Sequence, residues 1–243
     1  MFNESLKVIT ILRYLLIIIL SLPASPSWSS DNTASVSFLE GSAFKSKNGK
    51  DWKPLSKGHS LNVGDSVKTG NKSRLELTLP DGSKVRFSEN TNFKVEASLF
   101  KDEERSFGVK MFLGKVWAKV SKAKKVSSFE VKTANAVAGV KGTTYRIDVE
   151  EDTSSLVRVY DGEVVVGSLP IGIEGKGRKP EYVPGPTEVP GPHEVTREEW
   201  TYIVKSWQQI TISPIGIASK PVSFTREEDR DEWVAWNQEK DKS

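Results

Sequence analysis

Residues able to do acid–base or nucleophilic chemistry are sparse in this 243-residue sequence, and their spacing matches no catalytic arrangement. Of the two histidines, His59 falls in a turn-like stretch and His193 in a proline-rich one, with no metal-ligand spacing between them. His193-Glu194 continues as Val195-Thr196-Arg197, so the helical His-Glu-x-x-His zinc pattern is absent. Gly58-His59-Ser60-Leu61-Asn62 lacks the closing glycine of a nucleophile elbow. Gly175-Lys176-Gly177 has neither the following Ser/Thr nor the strand–helix frame of a phosphate loop. Carboxylates are plentiful enough for a glycosidase pair, but no pair stands out from ordinary surface charge. The absence of cysteine excludes disulfides, zinc–thiolate sites, thiol nucleophiles and a lipidated exported N-terminus. The sequence therefore predicts no catalytic residue, no metal site and no cofactor.

With chemistry unmarked, charge and pattern carry the reading. A chain of this length with 37% apolar residues can bury a core. Its net charge of +3 is too small to imply nucleic acid, but the charge is unevenly spread. Residues 31–130 hold 19 Lys/Arg against 12 Asp/Glu, and residues 131–243 hold 14 against 19. Opposite halves suit mutual docking or an anionic partner for the first half. At the N-terminus Lys7 and Arg13 precede the apolar run Tyr14 to Leu22, followed by small residues from Pro23 to Ser30. That is the grammar of a secretory signal peptide over residues 1–29, with cleavage between Ala24 and Ser30. The expected location is periplasmic or secreted, with no stable membrane span after cleavage. Counting back through Arg13 to Val8 lengthens the run, which leaves an uncleaved anchor as the alternative.

From about Ser35 to Gly167 the dominant pattern is period two, the mark of half-buried strands. Arg74-Leu75-Glu76-Leu77-Thr78-Leu79 alternates, turns at Pro80-Asp81-Gly82-Ser83, and alternates again at Lys84-Val85-Arg86-Phe87. Asp-Gly between alternating runs predicts a hairpin, and the same grammar recurs at Asp161-Gly162 between Val157 to Tyr160 and Glu163 to Val166. Strands are also expected over 116–120, 129–132 and 144–149. No long amphipathic helix separates them, so the fold class is all-β, an antiparallel sandwich with a short C-terminal helical tail.

The order of short motifs resembles the FecR domain. The carriers are Gly58 to Gly70, the Leu75 strand with Asp81-Gly82-Ser83, and Leu113-Gly114-Lys115-Val116. Phe129 to Thr133, Gly139-Val140-Lys141-Gly142-Thr143-Thr144-Tyr145 and Tyr160-Asp161-Gly162-Glu163-Val164 follow in sequence. The resemblance spans residues 35–167 and implies an envelope module that relays a signal through binding. Asp81, Gly82, Gly114, Gly139, Gly142, Thr143, Asp161 and Gly162 read as structural motif positions, and a ligand contact at Gly142-Thr143 is the functional alternative. Family members of the best-known kind hold a sigma factor on a cytoplasmic N-terminal domain. Here only 13 residues precede the apolar run, so a sigma-factor partner is not expected.

Residues 168–195 read as a Gly/Pro-rich linker in which the hexapeptide at Val183-Pro184-Gly185-Pro186 repeats at Val189. Residues 196–243 read as helix, strand, helix, the strand at Gln209 to Ser213 with Ile210 and Ile212 on one face. Thr196 and Thr225 each open a capping-box pattern, placing Trp200 and Trp207 on one helix and Trp233 and Trp236 on another. These four tryptophans are expected to dock the tail on the β-domain. Lys115, Trp117 and Lys119 alternate with Val116, Ala118 and Val120, so they share the other side of their strand. They form a candidate binding face for an anionic envelope polymer, unless a neighbouring element covers Trp117. The sequence thus predicts an exported, non-catalytic binding or sensing module of the cell envelope, contacting an envelope protein or anionic polymer. A structural adaptor in an envelope complex is the alternative, and a hydrolase with an unmarked carboxylate pair the more remote one.

Overall fold

The structure, a computed structural model, describes residues 34–101, 104–122, 127–140, 142–169 and 200–242. The expected signal peptide, nearly all of the expected linker and the expected first capping box lie outside these residues.

The described chain is a two-sheet sandwich. In chain order the strands are β1 (Ala34–Glu40), β2 (Ala43–Ser46), β3 (Lys53–Pro54), β4 (Ser60–Leu61), β5 (Ser66–Thr69) and β6 (Arg74–Thr78). Next come β7 (Lys84–Phe87), β8 (Asn92–Lys101), β9 (Glu104–Lys119), β10 (Ser127–Lys132), β11 (Ala136–Val140) and β12 (Thr144–Val149). The last are β13 (Ser155–Asp161), β14 (Glu163–Ser168), β15 (Thr201–Lys205), β16 (Gln208–Ile212) and β17 (Val222–Ser223), before the helix α1 (Glu232–Lys240). Sheet A runs β4-β1-β6-β7-β9-β12-β13-β16-β17. Sheet B runs β3-β2-β5-β8-β9-β10-β11-β14-β15. Pairing is antiparallel except between β9 and β10, which run parallel.

The long strand β9 belongs to both sheets, its first part in B and its last in A. Gly114 makes the passage. Its φ of +93° lies in the left-handed region, and a Cβ there would sit 2.6 Å from Thr91 Cα. Between the sheets lie the alternate apolar residues of every central strand, with Phe87 stacked on Phe93 at 3.7 Å and Phe129 edge-on to Tyr145.

Two local expectations need correction. Asp81-Gly82 does close a hairpin between β6 and β7, with Gly82 at φ +85°. Asp161-Gly162 does not: β13 pairs with β12 and β16 in sheet A, while β14 pairs with β11 and β15 in sheet B. The same positive φ that turns a hairpin here carries the chain from one sheet to the other. The second correction concerns the tail. The expected first helix is instead the strand β15 with the turn after it, while the strand expected at 209–213 is β16; Val204, Ile210 and Ile212 are fully buried in the shared core. Trp200, Ile203, Val204 and Trp207 have helical spacing, but β-branched residues also suit strands, and edge pairing with β14 and β13 decides the outcome. At Thr225 the capping box forms, with Thr225 N donating to Glu228 and Glu228 N to Thr225 Oγ1, yet it closes only a turn. The helix starts later, where Asp231 accepts from Val234 N at 2.7 Å.

Candidate functional site

One cross-strand row dominates the outer face of sheet A. Direct register pairs join Glu76 to Arg86, Arg86 to Trp117, Trp117 to Arg146, Arg146 to Arg158 and Arg158 to Gln209. Each alternates with inward apolar residues, so the sequence pattern places the whole row outside. Yet Trp117 is only 1% exposed and Arg146 only 3%. Residues 224–242 lie across them.

The tail brings carboxylates to these cations. Asp229, 2% exposed, accepts from Arg158 at 2.6 Å and from the Tyr160 hydroxyl at 2.6 Å, and lies 3.0 Å from the Arg146 guanidinium. Asp241 accepts from Arg86 at 2.6 Å and from Trp117 Nε1 at 3.0 Å, while its carbonyl accepts from Lys119. Asp231 pairs with Lys115 at 3.7 Å and Arg146 at 3.4 Å. The sheet adds Glu76 on Arg86 at 2.7 Å and Asp148 on Arg146 at 3.0 Å. Aromatic packing seals the contact: Trp117 stacks on Tyr160 at 4.4 Å, and Trp233 on Trp236 at 5.3 Å.

Protonation follows from these neighbours. Burial raises the pKa of Glu76, but hydrogen bonds from Ser37 and Arg86 outweigh it and hold the carboxyl below its ordinary 4.5. Asp148 goes the other way: its burial outweighs the attraction of Arg146, and its pKa is raised. Burial opposes charge on Arg146, yet Asp148 and the tail aspartates overcome it and raise that pKa. Tyr160 is pushed up by burial, and its hydrogen bond to Asp229 adds to the rise, so it stays a donor. Arg146 Nε, Asp148 Oδ1 and Trp233 Nε1 are buried without a hydrogen-bond partner among the described residues, so the network is incompletely satisfied.

The expected binding face of Lys115, Trp117 and Lys119 is therefore not open surface. Trp117 is roofed by α1, and both lysines are tied to the tail. Of the tail tryptophans, Trp233 and Trp236 lie on α1 over sheet A. Trp207 sits at φ +61° between β15 and β16, edge-on to Tyr160. Trp200 packs against the rim of the core and donates to the Gly216 carbonyl. The motif positions do not share one site. Gly142-Thr143 and Asp161-Gly162 form adjacent crossovers, joined by Thr143 Oγ1 donating to the Glu163 carbonyl at 2.9 Å. Asp81 caps its hairpin by accepting from Ser83 N. Gly82, Gly142 and Asp161 line a groove of about 570 Å³ with Lys84, Lys119 and Lys122 at the end of the covered row. Gly139 stands apart, on the outer face of sheet B.

Sequence reasoning missed Arg86, Arg146, Arg158, Tyr160, Asp229 and Asp241. The available signal was the acidic run Glu227 to Glu232, set against arginines at polar positions of three central strands. Among the described residues no group of three or more His, Asp or Glu is placed to hold a metal ion.

Residues 65–165 match the family model described as FecR protein, and this stretch of the chain is a FecR domain. Strands before and after it complete the same two sheets. The chain is also similar to two crystal structures of a "putative anti-sigma factor" from Parabacteroides distasonis ATCC 8503, at 1.65 and 2.50 Å resolution. Identities are 19% and 20%, with a TM-score of 0.48 in both cases. Each alignment covers 71% of this chain and 64% of the other, so the match spans just under two thirds of those proteins. No curated protein matches.

Proposed function

We propose that this chain is an exported, non-catalytic recognition and signalling module of the cell envelope. Its recognition surface is the outer face of sheet A, and residues 224–242 are the resident occupant of that surface. The observation that carries the reading is the row Arg86-Trp117-Arg146-Arg158, neutralised by Asp229 and Asp241 from a segment distant in sequence. Buried ion pairs suit registry and switching better than raw stability, because desolvation offsets most of their attraction. A partner strand or helix presenting carboxylates and indoles would meet the same donors. Lys7, Arg13 and the apolar run after them support export. The buried carboxylates with shifted pKa values, Glu76 and Asp148, are held in ion pairs, which favours a binding role over a catalytic one.

The test is a titration of the full chain with a labelled peptide copying residues 224–242. Asp229→Asn combined with Asp241→Asn loosens the resident segment, and this variant should capture the peptide at least about tenfold more tightly than wild type. Equal or absent capture by both proteins contradicts the reading.

A further inference from the structure

Sheet B carries a second row of charge, and nothing in the described chain covers it. Strands β8, β9 and β10 place Lys94 opposite Lys110 and Lys110 opposite Lys132. Their neighbours Phe93, Val95, Val109, Met111 and Val131 are buried, so the lysines point outward. Like charges directly opposite one another weaken a sheet. Lys132 has Glu96 at 3.1 Å, whereas Lys94 and Lys110 have no carboxylate partner among the described residues. On sheet A the chain answers a comparable row with its own aspartates. Here Glu96 on Lys132 is the one carboxylate paired with the row among the described residues, and Glu130 lies farther along the face, opposite Gly139.

The same face continues across β11, β14 and β15 as a flat apolar strip. Gly139 lies opposite Val165, and Val165 opposite Ile203. Val165 is 49% exposed and Ile203 54%. Gly139 has no left-handed φ, and a Cβ built on it meets nothing within 4 Å. Neither the backbone nor the packing of this chain calls for glycine there. In a strand interior such a glycine marks the close approach of something else.

We infer that the outer face of sheet B binds a linear acidic polysaccharide laid across the strands. Its carboxylates or phosphates sit on the Lys94-Lys110-Lys132 row, and the flat faces of its sugar rings lie on the strip at Gly139, Val165 and Ile203. Cations on adjacent strands repeat about every 4.8 Å, which suits a polymer with regularly spaced anions. A peptide added to the free edge of β15 would reach Ile203 but none of the lysines, because β8, β9, β10, β11 and β14 are each paired on both sides. The site lies on the opposite sheet from the recognition surface proposed above and does not depend on it.

Affinity electrophoresis of the full chain through gels containing polygalacturonate tests the inference, with dextran as the neutral polymer and polyglutamate as the acidic polypeptide. Polygalacturonate should retard the wild type, dextran should not, and the retardation should fade as salt rises past about 0.15 M. Lys94→Glu with Lys110→Glu should weaken binding at least about tenfold. Gly139→Val, which fills open space, should weaken it about threefold or more without lowering Tm. Absence of retardation, or variants that bind like wild type, overturns the inference. Polyglutamate binding as tightly as polygalacturonate also overturns it, in favour of an acidic protein partner.

Discussion

The two outer faces of the sandwich present similar patterns and meet different fates. Both carry cations in direct cross-strand register, arginines with an indole on sheet A and lysines on sheet B. Sheet A is roofed by residues 224–242, so β6, β7 and β12 are buried on both sides. Sheet B keeps its row half-exposed beside Val165 and Ile203. The choice of cation fits the outcome. Guanidinium groups tolerate burial and fork onto carboxylates, whereas ammonium groups are strongly hydrated and suit an open, exchangeable contact.

Substitutions should separate the faces most sharply where burial differs most. Asp229→Ala leaves Arg146, Arg158 and the Tyr160 hydroxyl without their shared acceptor. It should cost about 3–5 kcal/mol in urea unfolding. Lys110→Ala on the bare face should stay within about 0.5 kcal/mol. A glycine pair gives the next contrast. Gly114→Ala meets both a left-handed φ and Thr91, and should cost at least about 1–3 kcal/mol. Gly139→Ala should instead raise stability by about 0.5–1 kcal/mol, since alanine suits a strand interior better when no ligand is bound. Acid should reach sheet A through Glu76. Its folded pKa lies below 4.5, so its contribution is complete above that value and is lost as pH falls through the folded one. Ser37→Ala removes a hydrogen bond to that carboxylate and should shrink the loss, read as a shallower decline of Tm below pH 4.5. The smallest effect belongs to Glu232→Gln. Its pair with Arg74 is short but Glu232 is 88% exposed, so unfolding should change by no more than about 0.5 kcal/mol.

Much of the sandwich was legible in the sequence. The β6–β7 hairpin, β12 and β16 follow from alternation and turn residues, because local pattern and long-range pairing agree there. Asp161-Gly162 misleads because a positive φ serves a crossover as well as a hairpin. Trp200 to Trp207 misleads because a short apolar run fits both periods, and the edges of β13 and β14 settle the matter through tertiary pairing. The covered row was the least legible part. Alternation shows that Arg86, Trp117 and Arg146 leave the core, but which segment folds back over them depends on contacts more than 80 residues away, such as Arg146 to Asp231.

The central claim is that the C-terminal segment and the sheet A row form one buried electrostatic unit. A double-mutant cycle between Arg146→Gln and Asp229→Asn, read by urea unfolding of the full chain, addresses it most directly. The account expects the two substitutions to be non-additive by about 1.5–3 kcal/mol. Additivity to within about 0.5 kcal/mol would show that the segment does not engage the row and would contradict the account.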